Sequence, residues 1–402
     1  MRKRLVSALL AMAALPLVLG FSSGDPTPAT YRFTREAEPH VQTVLAWMLE
    51  SSASKLAGSG GIRASHEEAV SYFALAGRYS SLSSASWEYA ATGPARTASP
   101  LADLSSLRTR LDAMAPEVER LLQDQVAGAL KRADLSFSFL GLDLLLPPVV
   151  FRFEPPPNLL VISPRTRIER TSTVLLDPHL TLDQAEELEA DVSRRDVSAL
   201  VTPIGGLGVY PSMVPENSDI RWTLRTVAHE WAHQFLAFRP LGWQYAFGSE
   251  KDARMVTLNE TVADMVGREI GDDVYRRSYR DAGVEPSLPA PGQDIVRSTL
   301  RRVRSQVDRL LAEGRVDEAE GYMEDARQEL ARRGYFIRKL NQAYFAFHGS
   351  YADEPSLSGP QGEDISGRIH ALRQDSGSLG DFLWRVSAAG SFNDFLRLAP
   401  LR

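Results

Sequence analysis

His229-Glu230-Trp231-Ala232-His233 is the stretch on which the reading of this chain turns. Residues four apart on a helix share a face about 6 Å apart, so both imidazoles can aim a nitrogen at one tetrahedral metal ion. The flanking residues predict the helix this requires, from about Asp219 to Phe238. Polar Asn217, Ser218 and Asp219 precede it, apolar Leu224, Val227, Ala228, Trp231, Ala232 and Phe235 run through it, and Pro240 with Gly242 follows. Glu230 is angled away from ligation but lies close enough to serve a water at the metal as general base. The competing reading is a helix with two surface histidines and a solvated glutamate, and the apolar flanks weigh against it.

A catalytic zinc needs a third protein ligand and an open fourth position. Leu258-Asn259-Glu260-Thr261-Val262-Ala263-Asp264 offers Glu260 as the ligand, with Asp264 one helical turn on. A carboxylate there can accept a hydrogen bond from the non-ligating nitrogen of a zinc-bound histidine and so fix its tautomer. Thr257 to Glu260 also fits a capping box, in which Glu260 would bond backbone at a helix start. That alternative explains neither Asp264 nor the histidine pair. The chain has no cysteine, so a metal must be held by His, Asp or Glu.

Together His229, Glu230, His233, Asn259, Glu260 and Asp264 resemble the gluzincin group of metallopeptidases, whose His-Glu-x-x-His is followed by Asn-Glu-x-x-x-Asp on a second helix. The resemblance implies one zinc per chain on His229, His233 and Glu260. It places Asn259 and Asp264 behind the ligands and makes Glu230 the base in hydrolysis of a peptide or protein substrate. It also implies an α+β fold, a zincin-like catalytic domain with a small mixed sheet and an active-site helix pair.

Gluzincins place an edge strand before the metal helix, and Leu200 to Val214 corresponds to it, with Gly206, Leu207, Gly208 and Val209 as the segment that meets substrate. A glycine-rich connecting loop is the alternative. The group also draws an oxyanion donor from its C-terminal part. Here Asn341 to Tyr351 supplies Tyr351 and His348, and faintly resembles a segment of predicted bacterial exported aminopeptidases. The lipid-attachment cysteine of that family is missing. Glu216 and Asp219 stand where an aminopeptidase could hold a substrate amine, although charges before a helix also serve as caps. The alternative from another class is a non-catalytic zinc-binding envelope scaffold or peptide-binding protein, and Glu230, which a structural site does not need, counts against it.

Further out, the chain divides into residues 1–26, 27–135, 136–290 and 291–402. Met1-Arg2-Lys3-Arg4 followed by apolar Leu5 to Phe21 reads as a signal peptide or membrane anchor, which predicts an extracytoplasmic protein, secreted or associated with a membrane through residues 5–21. A helical region follows, from about Glu36 to Leu130. Strand-like runs at Val149–Phe153, Leu159–Ile162, Thr173–Leu176 and Ala199–Thr202 flank one helix at Leu182–Arg194. Helices then continue over Val256–Ile270, Asp294–Gly314, Val316–Phe347 and Ser378–Leu398. The 45 basic and 51 acidic residues are interleaved, giving a formal charge of −6 and no basic stripe for nucleic acid. Phosphate-loop glycine spacings are absent as well.

Overall fold

The computed structural model describes residues 36–41, 44, 47, 48, 50, 51, 64–90, 98–139, 142–247, 252–281, 293–349 and 365–399. Its fold is α+β. In chain order the elements are α1 (His66–Ala90), α2 (Ala98–Arg132), β1 (Phe137–Phe139), β2 (Leu142–Leu144), β3 (Phe151–Phe153), β4 (Asn158–Pro164), β5 (Ser172–Leu176), α3 (Leu182–Ser193), β6 (Val197–Pro203) and β7 (Ser212–Val214). The remaining elements are helices: α4 (Ile220–Leu236), α5 (Pro240–Phe247), α6 (Ala253–Ser278), α7 (Gln293–Ala312), α8 (Val316–Arg332), α9 (Gln342–His348), α10 (Ile365–Gln374), α11 (Leu379–Ser387) and α12 (Phe392–Leu398).

Strand β4 pairs antiparallel with both β5 and β6, so that Leu160 faces Val174 and Val201 across the ladder. The two-residue period of a strand sends alternate side chains to opposite faces. Leu160, Ile162, Val174, Ala199 and Val201 pack with Leu188 and Val192 of α3 on one face. On the other, Leu159, Val161 and Leu200 pack with Ala343 and Phe347 of α9. The expected single mixed sheet is instead three small sheets among the described residues: β5-β4-β6, a parallel β3-β7 pair and a β1-β2 hairpin. Proline explains the division. Pro147-Pro148 and Pro155-Pro156-Pro157 flank β3, and a residue without an N–H cannot continue a ladder.

The largest core gathers Phe73 of α1, Leu111 and Leu122 of α2, Trp231 of α4, Val262 and Val266 of α6, and Phe382 and Phe395 of α11 and α12. It therefore draws on all three regions that follow residue 26 in the sequence reading. Helices α7 and α8 form a hairpin around their own core, which includes Val303, Val307, Met323 and Leu330.

Two expected long helices are broken. The helix predicted over Val316–Phe347 stops at Arg332, where Gly334 takes a left-handed φ of 87° and the chain turns back through Tyr335 N–H to Leu330 O at 2.9 Å. It restarts as α9 under Asn341, whose side chain accepts the Tyr344 N–H. The helix predicted over Ser378–Leu398 divides before Ser391, which caps α12 through the Asp394 N–H. The expectation of a membrane anchor is also corrected: among the described residues no helix is long and apolar enough to cross a membrane. Residues 1–26 lie outside the described residues. The chain is therefore assigned no membrane or extracytoplasmic location.

Candidate metal centre

The centre is built where α4 crosses α6. Asp219 starts α4, its carboxylate accepting the backbone N–H of Arg221 at 2.8 Å and of Trp222 at 3.1 Å. Asp252 starts α6 in the same way, through the Arg254 N–H at 2.9 Å. Glu260 thus lies two turns inside its helix and caps nothing, which removes the capping-box alternative. The helices approach closely because α6 presents glycine at the crossing. A Cβ added to Gly267 would stand 2.7 Å from Arg225 O and 3.1 Å from His229 Cβ, and one added to Gly271 would stand 2.6 Å from Arg225 N. Asp272 ties the pair from its end, accepting from Arg221 at 2.8 and 2.9 Å and from Arg225 at 2.7 and 2.8 Å. On its other side α4 is fixed by Trp231, whose indole N–H donates to Pro147 O at 2.8 Å.

This crossing brings three donors together. His229 Nε2 and His233 Nε2 are 3.0 Å apart, and Glu260 Oε2 is 3.8 Å from the first and 3.5 Å from the second. Tetrahedral coordination with bonds of about 2.0–2.1 Å puts neighbouring donors about 3.3 Å apart, so the separations fit one small cation. The buried His229–His233–Glu260 group can hold a metal ion. Nδ1 of His233 meets Asn259 Oδ1 at 2.8 Å, an oxygen that only accepts, so Nδ1 carries a proton and Nε2 is the nitrogen left to ligate when the ring is neutral. Asn259 is itself buried, with Nδ2 lacking a partner.

Burial and the neighbouring His233 hold the pKa of His229 down to about 4, so this ring is neutral near pH 7. Burial also opposes charge on His233, but the Glu260 and Glu230 carboxylates and Asn259 outweigh it and raise the pKa to about 9. For Glu260 burial is overcome by His233, His229 and the more distant Arg170, which together lower it to about 2. Glu230 behaves differently. It is buried and, among the described residues, has no hydrogen-bond partner, and burial lifts its carboxyl to about 8.

The segment after β6 lies against Glu230. An added Cβ on Gly206 would sit 2.2 Å from Glu230 Oε1, and one on Gly208 would sit 2.9 Å from His233 Cβ and 3.3 Å from Glu230 Oε2. Only glycine allows backbone this near the carboxylate. The strand expected over Leu200–Val214 ends at Pro203, and Leu207 is bridged to Met213 in both directions at 3.0 and 3.1 Å. Leu207 and Val209 point their side chains into a core with Val44, Met48 and Tyr210, so the face towards Glu230 is glycine backbone. Gln234 of α4 pins this loop by donating to Val209 O and, at 2.8 Å, to Ser212 Oγ.

Other sequence candidates lie elsewhere. Asp264 pairs with Arg268 and acts on His229 only through its charge, so the ring contact expected of it is made to His233 by Asn259. His348 packs against the tilted ring of Tyr344 at 4.3 Å and edge-on to Phe347 at 5.0 Å, and burial lowers its pKa to about 4. No hydrogen bond or ring contact joins it to the metal group among the described residues. Tyr351 lies outside the described residues. Glu216 is held by Tyr72 Oη at 2.6 Å and by Arg108 at 2.6 and 2.9 Å, and Asp219 is the helix cap, so both carboxylates are engaged within the fold.

Compared with known proteins, the chain matches no family model, no curated protein and no solved structure. The functional reading rests on the geometry of its own residues.

Proposed function

We propose that this chain is a zinc-dependent peptidase of the gluzincin type, with a zincin-like catalytic domain. The observation that carries the reading is a buried, unpartnered Glu230 beside three converging donors, His229, His233 and Glu260. Two imidazoles and one carboxylate suit zinc, and three protein donors leave a position open. Zinc held there would supply Lewis acidity, polarising a substrate carbonyl and making water more acidic.

The protein's own residues do the rest. His229 offers a neutral ring because burial disfavours its charge, and Asn259 orients His233 with Nε2 towards His229 and Glu260. Glu230 takes a proton from the attacking water and later delivers it to the leaving amine. Burial favours its protonated form, which brings its basicity close to neutral pH, where acid–base catalysis is most efficient. The Gly206–Gly208 backbone lies directly against that carboxylate, so the segment expected to meet an extended substrate is next to the base. A purely structural zinc site would give no reason for an unpaired buried carboxylate next to its ligands, which counts against the scaffold alternative. With Glu216 and Asp219 engaged, neither is left to hold a free amine, and the ground for an aminopeptidase in particular is lost.

The test is metal content and peptide hydrolysis of the full chain beside Glu230→Gln and His229→Ala. We expect Glu230→Gln to keep zinc and lose turnover, and His229→Ala to lose both. Hydrolysis by Glu230→Gln at the wild-type rate would refute the assignment.

A further inference from the structure

A cavity of about 500 Å³ lies where the α7–α8 hairpin meets the three-stranded sheet, and none of the metal-centre residues lines it. Its wall includes Arg165 after β4, Val197 of β6, Glu320 and Met323 of α8, and Lys339 and Gln342 around the start of α9. That volume is ordinary for a small-molecule site.

Two groups in the wall carry opposite excess charge. Arg165 is met by three carboxylates, Asp196 at 3.1 Å, Asp317 at 2.9 Å and Glu320 at 2.8 Å, so negative charge prevails there. Gln342 joins this group by donating Nε2 to Arg165 O at 2.8 Å and to Glu320 Oε1 at 3.1 Å. Both partners are acceptors, which fixes the orientation of the amide. Its Oε1, in a side chain only 1% exposed, has no donor among the described residues. The covalent bonds of the amide put Oε1 within about 2.6 Å of Nε2, and so within about 5.7 Å of Glu320 Oε1. Two acceptors that close can share one ammonium nitrogen, which reaches each at about 2.9 Å.

The second group is basic. Buried Glu189 accepts from Arg338 at 3.0 Å, from Lys339 Nζ at 3.0 Å and from the Val201 N–H at 2.6 Å. One carboxylate thus opposes two cations, and Glu186, 4.0 Å from Arg338, is exposed to solvent. An ammonium has three donors, of which Lys339 spends one on Glu189. A carboxylate suits the remaining two, and a charge-assisted bond of this kind is a strong one. Met323 and Val197 add apolar surface to the lining.

We propose that this cavity binds a small zwitterion, an amino acid or a dipeptide, with its ammonium on Gln342 Oε1 and Glu320 and its carboxylate on Lys339. The site is separate from the metal centre and does not depend on the peptidase reading. The test is calorimetry on the zinc-loaded full chain carrying Glu230→Gln, so that no probe is consumed. The probes are leucine, leucyl-leucine, leucinamide, which lacks the carboxylate, and N-acetyl-leucine, which lacks the ammonium. Leucine or leucyl-leucine should bind on the order of tenfold more tightly than either blocked form, and the tighter of the two gives the length of the ligand. Lys339→Met, which keeps the partly exposed stem, should remove the advantage over leucinamide with thermal unfolding unchanged. His229→Ala should leave the binding as it is, since the metal donors lie outside the cavity wall. Failure of both zwitterions to bind, blocked forms that bind equally well, an advantage that survives Lys339→Met, or binding lost in His229→Ala overturns the proposal.

Discussion

Adding one methyl group at Gly267 should weaken a metal site to which Gly267 contributes no ligand. In Gly267→Ala the new Cβ meets Arg225 O at 2.7 Å and His229 Cβ at 3.1 Å, both belonging to α4. The nearer atom is backbone and cannot swing aside, so α4 and α6 must part by about 0.7 Å to reach ordinary contact. Overpacking of this kind costs typically 1–3 kcal/mol, and alanine returns about 1 kcal/mol of helix propensity over glycine, leaving a net loss of roughly 0–2 kcal/mol. The larger effect falls on the ligands. His229 and His233 ride on α4 and Glu260 on α6, while a metal site tolerates displacements of only about 0.2 Å. Zinc affinity should fall by at least about tenfold, by analogy with changes to residues that hold ligands in place. The assay is competition for zinc against a chelator of known affinity, with thermal unfolding measured in parallel. Gly321→Ala is the control: it sits inside α8 with nothing within 4 Å of an added Cβ, so it should leave zinc binding unchanged and stabilise by about 0.5–1 kcal/mol. If Gly267→Ala binds zinc as tightly as the wild type and melts no lower, the close crossing does not set the ligand geometry.

Asn259→Ala should lower zinc affinity about 10- to 100-fold by freeing the His233 ring, with the fold intact by circular dichroism; unchanged affinity would remove Asn259 from the site's support. Zinc in thousandfold excess over its Kd should add about 4 kcal/mol of stability, seen as a drop in Tm on chelation, and His229→Ala should abolish that zinc-dependent shift. Asp272→Asn should destabilise by about 1–2 kcal/mol at pH 7, since it breaks both arginine pairs that tie α4 to α6. Burial works against the Asp272 carboxylate, but Arg221 and Arg225 prevail and hold its pKa well below the usual range. Its contribution is thus present above the unfolded-state pKa near 4 and is lost as the pH falls below it, so the difference between wild type and Asp272→Asn should shrink in urea titrations from pH 6 to pH 3. A gap that widens on acidification would contradict the pairing.

Which parts of this site were legible in the sequence follows from what a spacing can encode. The separation of His229 and His233 is set within one helix by its own geometry, so the pair could be read directly. β-Branched and apolar runs likewise predicted the elements that became β4, β5 and β6, whereas their division from β3 and β7 lay in prolines that the sequence displayed but pairing had to reveal. Asp264 shares a helical face with Glu260, which made it the natural partner for a ligand ring, yet it stands a full turn further along and is taken by Arg268. Asn259, adjacent to Glu260 and rotated towards α4, reaches His233 instead.

The third ligand poses the sharpest case. Nothing in the interval between His233 and Glu260 states how far apart their helices lie, since the intervening chain can fold in many ways. The distance is set by what touches at the crossing. Ala263, Gly267 and Gly271 recur every four residues on α6, so one face of the helix carries almost no side chain, and α4 can settle against its backbone. With bulkier residues there Glu260 would retain its sequence position and its charge but stand too far from the imidazoles to share a cation with them. Its standing as a ligand therefore depends on two glycines, two and three turns away, whose contribution is the absence of a side chain.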